Sequence, residues 1–511
     1  MSRPAIVFIG FMGAGKSGAL AAAAGAGLET TEIDRLMEEE LGVPIAKAFE
    51  RDGEQVFRER EAEVVGALLE RADGGAIALG GGSILSERVR VALARHTVVW
   101  LQVGAEEAWR RIAHSDRPLA KSAEDVARLL AERQPLYEQL ADAVLLQGER
   151  GQVARALPMA MALADLPAGT KALWASSASG EYPVFVGPGL LDADCWPMQK
   201  RRFCVTDTGV GPIYAERLEP LAARIEVEAG ESAKTMDGAE RVLRELAQAG
   251  MTREDLVVAL GGGVVGDLAG FCAHVYQRGV PFIQVPTTLV AQVDSAYGGK
   301  TGVDLPEGKN YAGAFHLPEA VICDTSVLGS LSPEELAAGF VEALKTGLLA
   351  GGGLWERVRS IESLDPAELD DVVFSCARYK CEVVAADERD GGLRHVLNLG
   401  HTIGHAIEAA SGYSRYRHGE AVGVGLLAAL RLSDAPDLRE EVEAILRRLG
   451  LPVDLDPAVE VDDVLAALGR DKKRTAAGVG FVLLSEPGFP REGQVLDPDR
   501  VREAVEELLN E

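Results

Sequence analysis

Short, mostly apolar runs alternate along the chain with longer stretches in which apolar and charged positions recur at helical spacing. Runs at residues 6–9, 76–79 and 98–103 read as strands buried on both faces, whereas 61–71 has the three-to-four-residue apolar period of a helix. This alternation predicts βαβ units and a mostly parallel sheet over the first 165 residues. The pattern weakens after Arg150. ADLPAGTKA, from about Ala164, reads as a linker, and ALWASSASGEYPVFVG as two strands around a Ser-Gly turn, so a boundary falls near Ala168. A second alternating region follows, with strands at 202–206, 256–260 and 282–286, each entering a Gly- or Thr-rich turn. Beyond Thr325 the pattern is helical, apart from one late apolar run at 479–484. The expected organisation is an α/β domain at 1–168, a second α/β layer at 169–325 and a mainly α-helical domain at 326–511.

A length of 511 residues exceeds one ordinary core, and 47% apolar residues are enough for several. The net charge of −27 argues against general nucleic-acid binding, which needs a basic excess. Anionic substrates would have to be met by locally clustered Lys and Arg, so basic residues beside glycine turns become informative. The six cysteines form no CxxC pair, which predicts free thiols in a reducing compartment, the cytoplasm. No apolar run reaches the ~18–20 residues of a membrane span. The opening MSRPAIVFIG reads as a first strand and not as a signal peptide.

The first apolar run enters Gly10-Phe-Met-Gly13-Ala-Gly15-Lys16-Ser17, a GxxxxGK[ST] motif between a strand and a helix-compatible segment. Its glycines let backbone N–H groups curl around phosphates. Lys16 can reach the terminal phosphates and Ser17 can ligate Mg²⁺, so a nucleotide's phosphates with Mg²⁺ are the expected ligand of this P-loop. Glu32-Ile-Asp34, the Asp-Gly-Glu-x-x-Phe-Arg run ending at Arg58, Gly80-Gly81-Gly82, Arg117-Pro-Leu and Arg133-Gln-Pro-Leu-Tyr137 follow in order.

Together these motifs resemble the shikimate kinase family over the first 150 residues, which implies a P-loop kinase domain that uses ATP with Mg²⁺. The resemblance implies that Asp34 binds substrate hydroxyls and acts as base, and that Arg58 and Arg133 hold the carboxylate. It also brings the Gly80–Gly82 backbone to the ring, Arg117 to the transferred phosphoryl group and Glu32 to Mg²⁺. Guanidinium groups suit carboxylates, and phosphoryl transfer mainly needs positioning and neutralisation. Three positions depart from the family pattern: Glu32 replaces the usual Asp, Gly18 a frequent Thr, and the helix after the loop is short and carries Gly25 and Gly27. A decayed domain that binds nucleotide without catalysis, or only supports the partner domain, is the alternative.

Leu256-Val-Val-Ala-Leu260 leads into Gly261-Gly262-Gly263-Val264-Val-Gly266-Asp267, a strand-to-helix turn suited to a pyrophosphate. Gly230-Glu231-Ser-Ala-Lys234 and Pro286-Thr287-Thr288 stand at neighbouring strand ends. Four of the eight histidines, His395, His401, His405 and His418, fall within 24 residues. His401 and His405 are four apart and share one helix face. A carboxylate from Gly339-Phe-Val-Glu342-Ala-Leu-Lys345 would complete a two-His, one-carboxylate metal site with an open position.

From about residue 172 onward the chain resembles the 3-dehydroquinate synthase family, in GGGVVGDLAGF, QVPTTLVAQVDSAYGGKTGVD, GKNYAGAFHLP, GFVEALKTG, RHVLNLGHTIGHAIE and RHGEAVGVG. The resemblance implies a Rossmann-like domain for NAD, served by Glu231, Lys234, Gly261–Gly263, Val264, Gly266, Asp267, Thr287 and Thr288, with Asp294, Lys300 and Lys309. It makes Glu342, His401 and His418 the ligands of Zn²⁺ or Co²⁺ and leaves His405 facing substrate. Asp294, Lys300, Lys309, Asn310, Lys345, Lys380, Arg394 and Asn398 would line the pocket, with Arg278 reaching the phosphate and Lys473 joining them. Tyr297 stands where a smaller residue is expected. The implied reactions are cyclisation of a seven-carbon keto-acid phosphate to 3-dehydroquinate and ATP-dependent phosphorylation of shikimate, in a homodimer formed through the synthase half. A related sugar-phosphate cyclase and a metal-dependent polyol dehydrogenase are the alternatives for the second half.

Overall fold

The computed structural model describes residues 3–113, 121–146, 151–193, 195–196, 200–469, 474–475 and 478–509. Arg117 and Lys473 lie outside the described residues. The chain forms two compact units, one of Met1–Ser176 with Pro183–Phe185, the other of Ser177–Tyr182 with Val186–Glu511.

In the first unit, β1 (Ile6–Ile9), β2 (Thr30–Glu32), β3 (Ala76–Ala78), β4 (Thr97–Leu101), β5 (Ala143–Leu145) and β6 (Lys171–Ser177) lie in the order β2-β3-β1-β4-β5-β6. The paired neighbours run parallel. β1, β3 and β4 are buried throughout, as uninterrupted apolar runs require of a central parallel sheet. Helices Lys16–Gly25, Ile33–Leu41, Ile45–Arg71 and Ala123–Leu140 cover it. The third is broken at Gly53, where φ of +83° interrupts the helical ladder.

β7 (Gly180–Gly187) precedes the second unit's parallel layer. That layer comprises β8 (Arg202–Asp207), β9 (Ala223–Val227), β10 (Leu256–Gly261) and β11 (Phe282–Pro286). An antiparallel hairpin follows, β12 (Lys300–Leu305) with β13 (Gly308–Phe315), and then β14 (Ala320–Asp324) completes the layer in the order β14-β11-β10-β8-β9. Phe203, Val257 and Phe282 from the sheet pack with Val242, Leu246, Leu268 and Cys272 from helices Met236–Gln248 and Gly263–Val275. Thr235 caps the first of these helices through the Gly238 N–H, 3.1 Å away.

The remainder is mainly helical, with Pro333–Ala350, Asp370–Ala386, His401–Ala410 and His418–Leu432 nearest the site. Ser332 caps the first by accepting from the Glu335 N–H at 3.3 Å. The late apolar run becomes β16 (Gly478–Leu484), flanked by β15 (Arg474–Thr475) and β17 (Pro490–Val495) in a small antiparallel sheet. The α/β, α/β, mainly helical class predicted from the pattern is the one observed. Hairpin β12–β13 was not expected, because its half-exposed, Gly-rich strands carry no apolar run.

Candidate active sites

The glycine turn after β1 and the start of helix Lys16–Gly25 line a cavity of about 220 Å³. Gly13, Gly15, Lys16, Ser17, Glu32, Asp34 and Gly81 face it. Lys16 Nζ donates to the carbonyls of Gly10 at 2.7 Å and Phe11 at 3.1 Å, which folds its ammonium back over the loop. Ser17 Oγ donates to Glu32 Oε1 at 2.5 Å, so the longer Glu side chain reaches the hydroxyl directly. A hydroxyl and a carboxylate side by side, next to a phosphate-sized glycine loop, fit Mg²⁺ with a nucleotide.

The Gly80–Gly82 turn gathers the second half of this site. A Cβ on Gly80 would stand 2.7 Å from Glu61 Oε1 and 3.2 Å from Asp34 Oδ1, and one on Gly82 would overlap the Arg58 guanidinium. Arg133 Nη1 and the Tyr137 hydroxyl both donate to the Gly81 carbonyl, at 3.2 and 2.7 Å. Buried Glu61 holds Arg58 Nη1 at 2.7 Å and accepts from Ser83 Oγ at 2.7 Å. Glu61 was missed from the sequence. Its signal was the i,i+3 spacing from Arg58 on one helix.

In the second unit the glycine turn lies at the C-terminal end of β10, where parallel sheets place ligands. A Cβ on Gly262 would meet Thr288 Cγ2 at 2.9 Å, and one on Gly263 would meet Ser295 Oγ at 3.0 Å, so only glycine leaves room here. Among the described residues, the buried hydroxyls of Thr287 and Ser295 find no hydrogen-bond partner. Lys234 pairs with Asp267 at 2.6 Å and approaches Glu231 at 3.9 Å. Val264 and Gly266 lie in the first turn of the following helix. A dipole-bearing helix start, cramped glycines and unpaired hydroxyls fit a dinucleotide.

Glu342, on helix Pro333–Ala350, is almost wholly buried, and neither of its carboxylate oxygens makes a well-aligned hydrogen bond. Its Oε1 lies 3.3 Å from Nε2 of both His401 and His418. The ligating atoms of His401, His405 and His418 lie within 4.8 Å of one another. The outer ring nitrogens are occupied, His401 Nδ1 by the Leu399 carbonyl and His418 Nδ1 by Glu408, each at 3.2 Å, which turns both Nε2 atoms inward. Two imidazoles converging on a buried carboxylate fit a borderline divalent cation. In the metal-free site burial opposes a proton on His418, but Glu342 and Glu408 outweigh it and raise the imidazole to about 10. Burial lowers His401.

The three helices that carry these ligands meet backbone to backbone. A Cβ on Gly404 would stand 3.0 Å from Val422 Cα, one on Gly425 would stand 2.7 Å from Gly404 N, and one on Gly419 would overlap the Ala338 carbonyl. His401 and His418 each open a helix, and Glu342 sits one turn beyond Ala338.

Asp294 connects this cluster to the lysines. It accepts from Lys380 at 2.7 Å and lies 3.9 Å from Lys345, which itself contacts Glu342 at 2.5 Å. Burial alone would raise Asp294, but the two ammonium groups hold it at about 2. Burial lowers Lys380. Arg394 is buried and donates to the Glu388 carbonyl at 3.0 Å. On the hairpin, Lys300 pairs with Asp390 at 2.5 Å, Lys309 approaches Glu408 at 4.0 Å, and the Asn310 N–H donates to Asp304. Asn398 Nδ2 donates to the His395 carbonyl. Arg278 is exposed and follows the C-terminal end of helix Gly263–Val275. Glu408, which serves both His418 and Lys309, was not singled out from the sequence.

Family models match residues 12–161 as shikimate kinase, 224–338 as 3-dehydroquinate synthase N-terminal and 339–474 as 3-dehydroquinate synthase C-terminal. The 3-dehydroquinate synthase of Symbiobacterium thermophilum is 42% identical over 350 residues, covering 64% of this chain and 98% of that protein. The chain belongs to the 3-dehydroquinate synthase family. Ahead of the synthase stands a shikimate kinase domain. Among solved structures, the synthase half is similar to 2-deoxy-scyllo-inosose synthase complexed with carbaglucose-6-phosphate, NAD⁺ and Co²⁺. The TM-score is 0.60 at 26% identity, over 66% of this chain and 100% of that one. It is also similar to 2-epi-5-epi-valiolone synthase from Streptomyces hygroscopicus subsp. jinggangensis with NAD⁺ and Zn²⁺ bound, with a TM-score of 0.59 at 27% identity over 64% and 96% of the two chains. Among the described residues, no helix is long and apolar enough to cross a membrane.

Proposed function

We propose that the synthase site closes 3-deoxy-D-arabino-heptulosonate 7-phosphate into 3-dehydroquinate with loss of phosphate, and that the kinase site phosphorylates shikimate on its 3-hydroxyl. Both reactions belong to the route to chorismate and the aromatic amino acids. The observation that carries the synthase reading is the convergence of Glu342, His401 and His418 beside the Asp294–Lys345–Lys380 cluster. NAD⁺ on the glycine turn would supply a temporary hydride acceptor, and Zn²⁺ or Co²⁺ held by Glu342, His401 and His418 would acidify the ring hydroxyl. The similar solved cyclases bound to NAD⁺ with Co²⁺ or Zn²⁺ support that cofactor pair.

The remaining work is positioning and charge neutralisation by the chain itself. Lys300, Lys309, Asn310, Lys380, Arg394 and Asn398 bind the anionic and hydroxyl groups of the substrate, with Asp294 keeping the buried ammonium groups in place. His405 faces the substrate from the same helix as His401. In the kinase site Asp34 takes the hydroxyl proton, Arg58 and Arg133 hold the carboxylate, and Lys16 neutralises the phosphates. We assign NAD to 169–325 and the metal to 326–511, and infer a cytoplasmic homodimer.

The test gives the full chain the heptulosonate phosphate with catalytic NAD⁺ and Zn²⁺, and separately shikimate with MgATP. Phosphate release without net NADH, together with shikimate-dependent ADP, is expected. K16A should silence only the second reaction and E342Q only the first. NADH accumulating without phosphate would make the second unit a dehydrogenase, and ADP formation indifferent to shikimate would overturn the kinase reading.

A further inference from the structure

Asp294 does not sit on a regular helix. Residues Ala291–Ser295 wind as a π-turn, a geometry that leaves a backbone carbonyl without its usual α-helical partner and needs outside support. The support begins with Gln292, whose buried amide donates to the carbonyls of Pro286 at 3.0 Å and Asp324 at 2.9 Å, at the ends of β11 and β14. It is completed by Tyr297. This side chain is 1% exposed, and its hydroxyl donates to the Gln292 carbonyl at 2.6 Å while lying 3.1 Å from Cys323 Sγ. A phenol buried this deeply is costly unless its oxygen is satisfied, and here the satisfying group is the turn that presents Asp294.

We propose that Tyr297 is a positioning residue for Asp294, its hydroxyl pinning the π-turn so that the carboxylate meets Lys380 and Lys345. The inference rests on the synthase reading. Losing the hydrogen bond leaves the Gln292 carbonyl unsupported and lets the turn relax, lengthening the 2.7 Å contact from Asp294 to Lys380. Cys323 contributes packing and a weak sulfur contact only.

The experiment uses the full chain with NAD⁺ and Zn²⁺ and compares wild type, Y297F and C323A. Phe keeps the ring volume and removes only the hydroxyl. Y297F is expected to lower kcat for phosphate release roughly fivefold with KM changed less than about twofold, as loss of one buried hydrogen bond that acts on the reacting geometry predicts. A second readout is independent of turnover. Brief acetylation at pH 8, quantified by mass spectrometry against exposed Lys121, should modify Lys380 about threefold faster in Y297F, because an ammonium released from its carboxylate is more often the reactive neutral amine. C323A should match wild type in both.

A Y297F enzyme with wild-type kcat and wild-type Lys380 labelling would overturn the proposal, even with a lowered melting temperature. A C323A enzyme that reproduced the Y297F changes would overturn it too. Absence of phosphate release from the wild type would defeat the synthase reading instead, and the labelling comparison would still decide the role of Tyr297.

Discussion

Replacing Glu408 with Gln tests the metal site from one layer out. Glu408 is 6% exposed, accepts from His418 Nδ1 at 3.2 Å and approaches Lys309 at 4.0 Å. Its removal has two opposed effects. Without the carboxylate the imidazole loses its orientation and some basicity, which typically weakens metal binding 10- to 100-fold. In the metal-free site, however, Glu342 and Glu408 overcome burial to raise His418 to about 10, so a metal arriving at neutral pH must displace a proton. That competition weakens metal binding at neutral pH and fades as the pH rises towards the His418 pKa. The sign is that wild-type affinity rises with pH, by up to tenfold per unit, as His418 loses its proton.

E408Q brings the His418 pKa down and flattens that slope. At pH 9 the variant should therefore bind Zn²⁺ about 10- to 100-fold more weakly than wild type, and at pH 6.5 the difference should shrink to a fewfold. Competition against a chelator across pH 6.5–9 measures the affinities. Calorimetry in buffers of different ionisation enthalpy counts the proton, and E408Q should release a smaller fraction of one than wild type at pH 8. Equal affinities at pH 9, or the same pH slope in both proteins, would refute the orienting role of Glu408.

Two glycine substitutions separate binding from folding. G82A places a methyl group on the Arg58 guanidinium, a flexible side-chain end, so the kinase should fold normally while KM for shikimate rises about tenfold and KM for MgATP stays the same; steady-state kinetics with each substrate varied decides it. G419A drives a methyl group into the Ala338 backbone carbonyl, which cannot swing away, and should destabilise the second unit by about 3 kcal/mol or more, seen as a lowered urea midpoint and lost Zn²⁺ binding.

What could be read from the sequence follows from how local each signal is. IVFI and LVVALG announce fully buried strands because no polar residue interrupts them, FIQVP does so despite its single Gln284, and the structure builds β1, β10 and β11 there. The i,i+4 spacing of His401 and His405 marks a helix face from the sequence alone. Glu408 also lies on that helix, but its importance depends on His418 and Lys309, which arrive from elsewhere in the chain. Hairpin β12–β13 carries Lys300, Lys309 and Asn310 in strands whose exposed positions and glycines mimic a loop. Tyr297 looked like an oversized residue in a tight turn, and only the π-turn gives its hydroxyl an acceptor.

The backbone contacts of Gly404, Gly419 and Gly425 bear on how this site can change over evolutionary time. A metal centre whose donors hang on side-chain packing can be retuned by many small substitutions, each shifting a helix by a fraction of an ångström. Here the helices already touch, and the distance between ligand-bearing backbones is at its minimum. Drift can therefore only push the donors apart. New specificity has to come from the lysines and the hairpin, while the metal cage is inherited whole or lost.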